Sequence, residues 1–203
     1  MTWKSLFHSK LTQSITFESA TYIVLIILKK DPILENMSDS LNICLACGLC
    51  CDGTLIGFVQ ISNDELPDIR KIMDVEEDND NSFFLQPCQN YCEGCTIYAK
   101  RPKQCHNFNC GLLKSVERNE LNVNTAIEMV NIVKQQKHSI EKKLALLDIE
   151  LQSKSFYFKM VQLKTLLQKN EAESSLTATH LELISDLNQL DQVLIDNFGL
   201  SLK

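Results

Sequence analysis

Residues 44–51 read Cys44-Leu45-Ala46-Cys47-Gly48-Leu49-Cys50-Cys51, and this stretch decides how the rest of the chain divides. Cys88, Cys92 and Cys95 follow, then Cys105 and Cys110, so all nine cysteines of the 203-residue chain lie between positions 44 and 110. Two residues between thiols let the backbone turn and aim both sulfurs at one point, as thiolate metal sites require. A disulfide framework fits worse: the count is odd, and a bond between adjacent Cys50 and Cys51 would close a strained ring. The expectation is a metal-holding module kept reduced in the cytoplasm.

Upstream, residues 1–36 contain no cysteine and read as an N-terminal extension. Either Met37 is the true start, or the preceding residues form a native strand or helix on the core. The apolar run at 20–28 (ATYIVLIIL) is short of the about 20 residues a bilayer span needs. It also lacks the small-residue cleavage site of a signal peptide. No membrane association is expected.

Residues 37–111 form the cysteine module. The stretch 54–62 (TLIGFVQIS) reads as a short strand, and 83–85 (FFL) as a second one that delivers Cys88. Ser62 and Glu65 stand at capping-box spacing, predicting a helix of two or three turns with Leu66, Ile69, Ile72 and Met73 on one face. The acidic, Asn-rich stretch up to Ser82 reads as a solvated loop. So little apolar material makes the module dependent on metal for its fold.

Residues 112–203 change character. No Gly or Pro occurs from Leu112 to Phe198, which favours helix throughout. Val123, Val130, Leu144 and Leu151 share one seven-residue register, broken by Lys137; Ala126, Val133, Ile140 and Leu147 share its companion. Breaks are expected at Ser153-Lys154-Ser155 and from Glu171 to Thr177. A second helix would bury Phe156, Met160, Leu163 and Leu167. A third would bury Leu181, Ile184, Leu187, Leu190 and Leu194, opened by a Thr179–Glu182 capping box. The fold class is therefore mostly α: a small irregular cysteine-rich module, with room for a short β-hairpin, then a long-helix hairpin or three-helix tail. The tail packs on itself or on a partner subunit.

Composition narrows the function. With 44% hydrophobic and 23% charged residues the chain is an ordinary globular one. Its net charge of -6 and lack of a basic stripe argue against nucleic acid. Six glycines leave no phosphate cradle, and no Ser-His-Asp set or acid/base cluster stands out.

The thiols can be grouped by halves, with Cys44, Cys47, Cys50 and Cys51 in one site and Cys88, Cys95, Cys105 and Cys110 in the other. A vicinal pair places two sulfurs on one tetrahedral ion with difficulty, so Cys50 and Cys51 can instead serve different metals, each site drawing on both halves. Iron–sulfur chemistry is the alternative to zinc. Cys44-x-x-Cys47-x-x-Cys50 matches the first three ligands of a [4Fe–4S] run, although no Cys-Pro follows.

The full pattern resembles a known family. Cys44-x-x-Cys47-Gly48-x-Cys50-Cys51, then Cys88, then Cys95-Thr96-Ile97-Tyr98-x-x-Arg101-Pro102-x-x-Cys105-x-x-Phe108-x-Cys110, is similar to the YkgJ-type cysteine-cluster (CxxCxxCC) proteins. That family is described as a zinc- or iron-chelating domain, and a similar domain occurs in flagellin lysine methylases. The resemblance spans Cys44 to Gly111. It implies metal ligation by Cys44, Cys47, Cys50, Cys51, Cys88, Cys95, Cys105 and Cys110, and leaves catalysis, including redox or methyl-transfer chemistry, open. The chain departs from the family in His106, where Arg is usual, and in the extra Cys92. Cys92 reads as a spare thiol and His106 as a neighbour of the site. Arg101 reads as local charge compensation, and Pro102 as the residue fixing the turn before Cys105.

Overall fold

The computed structural model of the protein describes residues 43–147, 149–172 and 177–202. The extension 1–36 and the candidate start at Met37 lie outside the described residues, as does part of the expected break before Thr177. The elements, in chain order, are helix α1 (43–47), strand β1 (Phe58–Ile61), helix α2 (Leu66–Ile69), strands β2 (Glu76–Asp78) and β3 (Asn81–Leu85), and short helices α3 (Lys103–Asn107) and α4 (Gly111–Glu117). Three long helices follow: α5 (Val123–Leu147), α6 (Phe156–Ala172) and α7 (Ala178–Val193), the last running into a π turn (Leu194–Phe198). The architecture is mostly α with a small sheet, as the sequence implies.

The sheet is antiparallel in the order β1-β3-β2. Val59 pairs with Phe84 and Ile61 with Ser82, and these inward positions are buried while their neighbours alternate outward. The acidic stretch is not a loop throughout: it supplies β2. Asn79 and Asp80 take φ of 45° and 65°, the two-residue turn whose twist matches a hairpin and which Asn and Asp tolerate. The helix expected after Ser62 is a single turn. Glu65 does accept the Ser62 N–H at 3.1 Å, but its other oxygen accepts the Lys103 N–H at 2.9 Å, so the carboxylate fixes α3 as well as α2.

The tail is a three-helix arrangement whose seam closes within the chain. α5 buries Ala126, Val130, Val133 and Ile140; α6 buries Phe156, Met160, Leu163 and Leu167; α7 buries Leu183, Leu187 and Leu190. The capping box of α7 is Thr177 with His180, not Thr179 with Glu182. The Thr177 N–H donates to His180 Nδ1 at 3.1 Å, so an imidazole takes the place of the usual Glu or Gln. The buried stripe runs through Leu183 instead of Leu181, which is 57% exposed.

Two apolar cores result. The larger joins the three long helices to Ile43, Cys47, Leu49 and Leu55, so the first cysteine loop is seated in the helical core. The smaller lies under the sheet: Val59, Ile61, Ile69, Met73, Phe84 and Cys88, with Cys51 and Cys105 packed against it. Among the described residues, no helix is long and apolar enough to cross a membrane.

Candidate metal centre

The loop after α1 is wound tightly enough to split its adjacent cysteines. Gly48 and Gly53 adopt φ of 68° and 81°, a region open to Gly at no steric cost. Asp52 N–H donates to Gly48 O at 2.9 Å, and the Thr54 and Leu55 N–H groups both reach Leu49 O at 3.0 Å. Gly48 is also a contact requirement: a Cβ there would stand 2.1 Å from the Tyr91 hydroxyl. The curl lays Cys50 against the helical core and Cys51 against the sheet core.

α5 holds this loop from behind. Lys134 Nζ donates to Ala46 O at 3.1 Å, and Lys137 Nζ pairs with Asp52 at 2.9 Å. Both side chains of that pair are less than one fifth exposed, at 17% and 18%. Lys137 also lies 5.0 Å from the centre of the Phe156 ring. The polar interruption of the heptad register is thus an anchor for the residue next to Cys51. Sequence reasoning missed that role; its one trace was a charge on an otherwise apolar register.

The later cysteines are carried to the loop by short elements. The Cys88 N–H donates to Cys51 O at 2.8 Å, tying the two by backbone. Tyr91 bridges to Cys95, closing a knuckle that brings Cys95 back toward Cys88. Pro102 precedes α3, which carries Cys105. Cys110 is the N-cap of α4.

Eight thiols line one cavity of about 410 Å³: Cys44, Cys47, Cys50, Cys51, Cys88, Cys95, Cys105 and Cys110. Cys92 is exposed and lies outside it; His106 is part of the lining. Electrostatics sorts the eight into two fours. Burial raises Cys44, and Cys110 adds to the effect. Burial pushes Cys47 up to about 12, with Cys110 and Cys44 contributing. Cys50 is held well above the usual thiol range by burial, then by Cys47, Cys110, its neighbour Cys51 and Cys44. Cys51 is pushed to about 12 by burial and by Cys95, Cys88 and Cys105. Burial likewise takes Cys105 to about 12, with Cys88 and Cys95 adding. Apart from the adjacent pair Cys50 and Cys51, which packing lays on different cores, these influences fall within a first set of Cys44, Cys47, Cys50 and Cys110 and a second of Cys51, Cys88, Cys95 and Cys105. Each draws on both halves of the cysteine segment.

Residues 43–140 match the CxxCxxCC family model, described as "Putative zinc- or iron-chelating domain". Over these residues, just under half of the chain, the protein is similar to that domain. The match runs past the last cysteine into α5, so Lys134 and Lys137 belong to the matched segment. No curated protein and no solved structure matches the chain.

The donor chemistry fits such a domain. Soft sulfur donors select thiophilic metals, and the matched segment gathers eight of them in one cavity. Among the described residues, no three His, Cys, Asp or Glu side chains are drawn close enough to enclose an ion; the thiols face one another across the cavity in two loose sets. Two polar atoms of the lining, Gln86 Oε1 and Arg101 Nε, are buried without a hydrogen-bond partner. The second is a donor with no acceptor, in a cavity lined by eight thiols that become acceptors for it on deprotonation.

Proposed function

We propose that the matched segment chelates two metal ions, zinc or iron, with a structural role. Cys44, Cys47, Cys50 and Cys110 hold one ion, and Cys51, Cys88, Cys95 and Cys105 hold the other. The carrying observation is that eight thiols line one cavity while Cys50 and Cys110 pack on the helical core and Cys51, Cys88 and Cys105 on the sheet core. Four thiolates around one ion make a closed site of the kind that contributes folding free energy. A bound ion supplies cross-linking: it ties the loop at 44–51 to segments that the chain reaches only after the sheet. The smaller core, with six buried residues, has the greater need of that link.

Elemental analysis of protein purified without oxygen tests the reading. It predicts two ions per chain. Cys44→Ser and Cys110→Ser should each remove the same ion, and Cys51→Ser and Cys105→Ser the other. Cys44→Ser and Cys51→Ser costing the same single ion would sink the partition. Iron with acid-labile sulfide and a brown absorption band would replace two closed ions with an iron–sulfur centre.

A further inference from the structure

Arg101 is the one Lys or Arg among the residues lining the thiol cavity. Its guanidinium lies over the Tyr98 ring, 3.7 Å from the centroid, which fixes the plane of the fork. Nη2 stands 3.4 Å from His106 Nδ1, and Nε is buried with no partner. No ion pair to a carboxylate holds this side chain among the described residues. Its charge acts on Cys44 in one set and on Cys105 in the other. Lys134 acts on Cys47 and Lys114 on Cys110, both in the first set, while Glu117, also in the lining, opposes Arg101 at Cys44.

Four thiolates on a divalent ion leave two negative charges. Two such sites in one partly buried cavity concentrate charge that is costly to hold without compensation. An arginine suits the task because it stays charged, is weakly hydrated and donates in several directions at once.

We propose that Arg101 is a shared positioning residue for both four-thiol sites, supplying one cation and its N–H donors to sulfurs of each, so that the two ions are retained as a coupled pair. This rests on the two-ion reading above. The partners of a metal-bound thiolate tune its hold on the metal, and their removal commonly costs tenfold to a hundredfold in affinity. Losing a guanidinium that serves one site would weaken one; losing a shared one weakens two.

The test uses the full chain loaded with zinc and a chromophoric chelator that reports release, in wild type, Arg101→Gln, Arg101→Lys and Cys92→Ser, the last an exposed thiol outside the cavity. Wild type should release two equivalents in one cooperative phase. Arg101→Gln should release both on the order of ten- to a hundredfold faster. Arg101→Lys, which keeps the charge and loses the fork, should fall between, and Cys92→Ser should stay within a few-fold of wild type. Far-UV circular dichroism checks that each variant folds; should Arg101→Gln fail, Arg101→Lys against Cys92→Ser carries the comparison. Acceleration of one equivalent only, or of neither, overturns the proposal. A wild-type content of one ion overturns the two-ion reading itself, and is seen before any variant is compared. Loss of inorganic phosphate binding in Arg101→Gln, with zinc release unchanged, would make Arg101 an anion site instead.

Discussion

The two thiol sets rest on unequal floors. Cys47 and Cys50 sit on a core that gathers all three long helices, with Leu163, Leu183 and Leu190 at 0% exposure. Cys51, Cys88 and Cys105 sit on a cluster of six buried residues beneath a three-stranded sheet whose β2 edge is wholly exposed. A helical core can fold on burial alone; a cluster of that size scarcely offsets the conformational entropy of its own strands and turns. On the proposed two-ion reading, the same donor type has different work on the two sides: trimming a structure that already stands, and holding together one that does not.

Metal removal breaks that comparison most forcefully. Chelation under reducing conditions should abolish hydrogen-exchange protection in β1, β3 and α3 while α5 and α7 keep theirs. Retained protection of β1 and β3 in fully metal-free protein would refute the asymmetry. Core truncation comes next. Leu187→Ala should cost about 3 kcal/mol and shift helical unfolding with or without metal. Phe84→Ala should cost a similar amount in the loaded protein only, leaving metal-free helical unfolding unchanged.

A smaller effect is expected at the joint between helix and loop. Lys137→Met leaves Asp52 partly buried without its cation and should cost about 2 kcal/mol, with the Asp52→Asn/Lys137→Met double variant losing less than the sum of the singles. The smallest effect is in pH. Burial raises the thiols above the about 8.5 of an exposed cysteine. For Cys47, seated in the helical core that the metal-free protein keeps, neutral-thiol stability is therefore complete below that value and is lost as pH rises toward about 12, where the thiol ionises in the fold. Denaturant midpoints of the metal-free protein should fall between pH 8 and pH 10, while those of the loaded protein hold steady. An equal fall in both would remove the distinction.

The helical part was the more legible in sequence, because burial in a long helix repeats. Ala126, Val133, Ile140, Met160 and Leu163 all follow from period alone. The register slipped at α7, where one helix end set the phase: Thr177 with His180 starts the helix, and Leu183 takes the core position in place of Leu181. The Asn79-Asp80 turn carried a local signal, two residues tolerant of positive φ, which the surrounding acidity concealed. For the site, spacing identified the thiols and the vicinal pair hinted at a division. Which later cysteine joins which set depends on how the loop curls between Gly48 and Gly53. The anchoring of Asp52 by Lys137 spans 85 positions and has no local trace beyond a misplaced charge.

Gly111 adjoins Cys110, and an added Cβ there would meet the backbone of Phe198 at 2.9 Å and of Gly199 at 3.1 Å. That contact sets an order of events on the ribosome. Every thiol of the sheet-side set has been translated once Cys105 is made. The platform beneath Cys110 waits for Leu194, Phe198 and Leu202. On the proposed reading, a nascent chain offered metal early has the sheet-side thiols complete while the seat of Cys110 is still unmade.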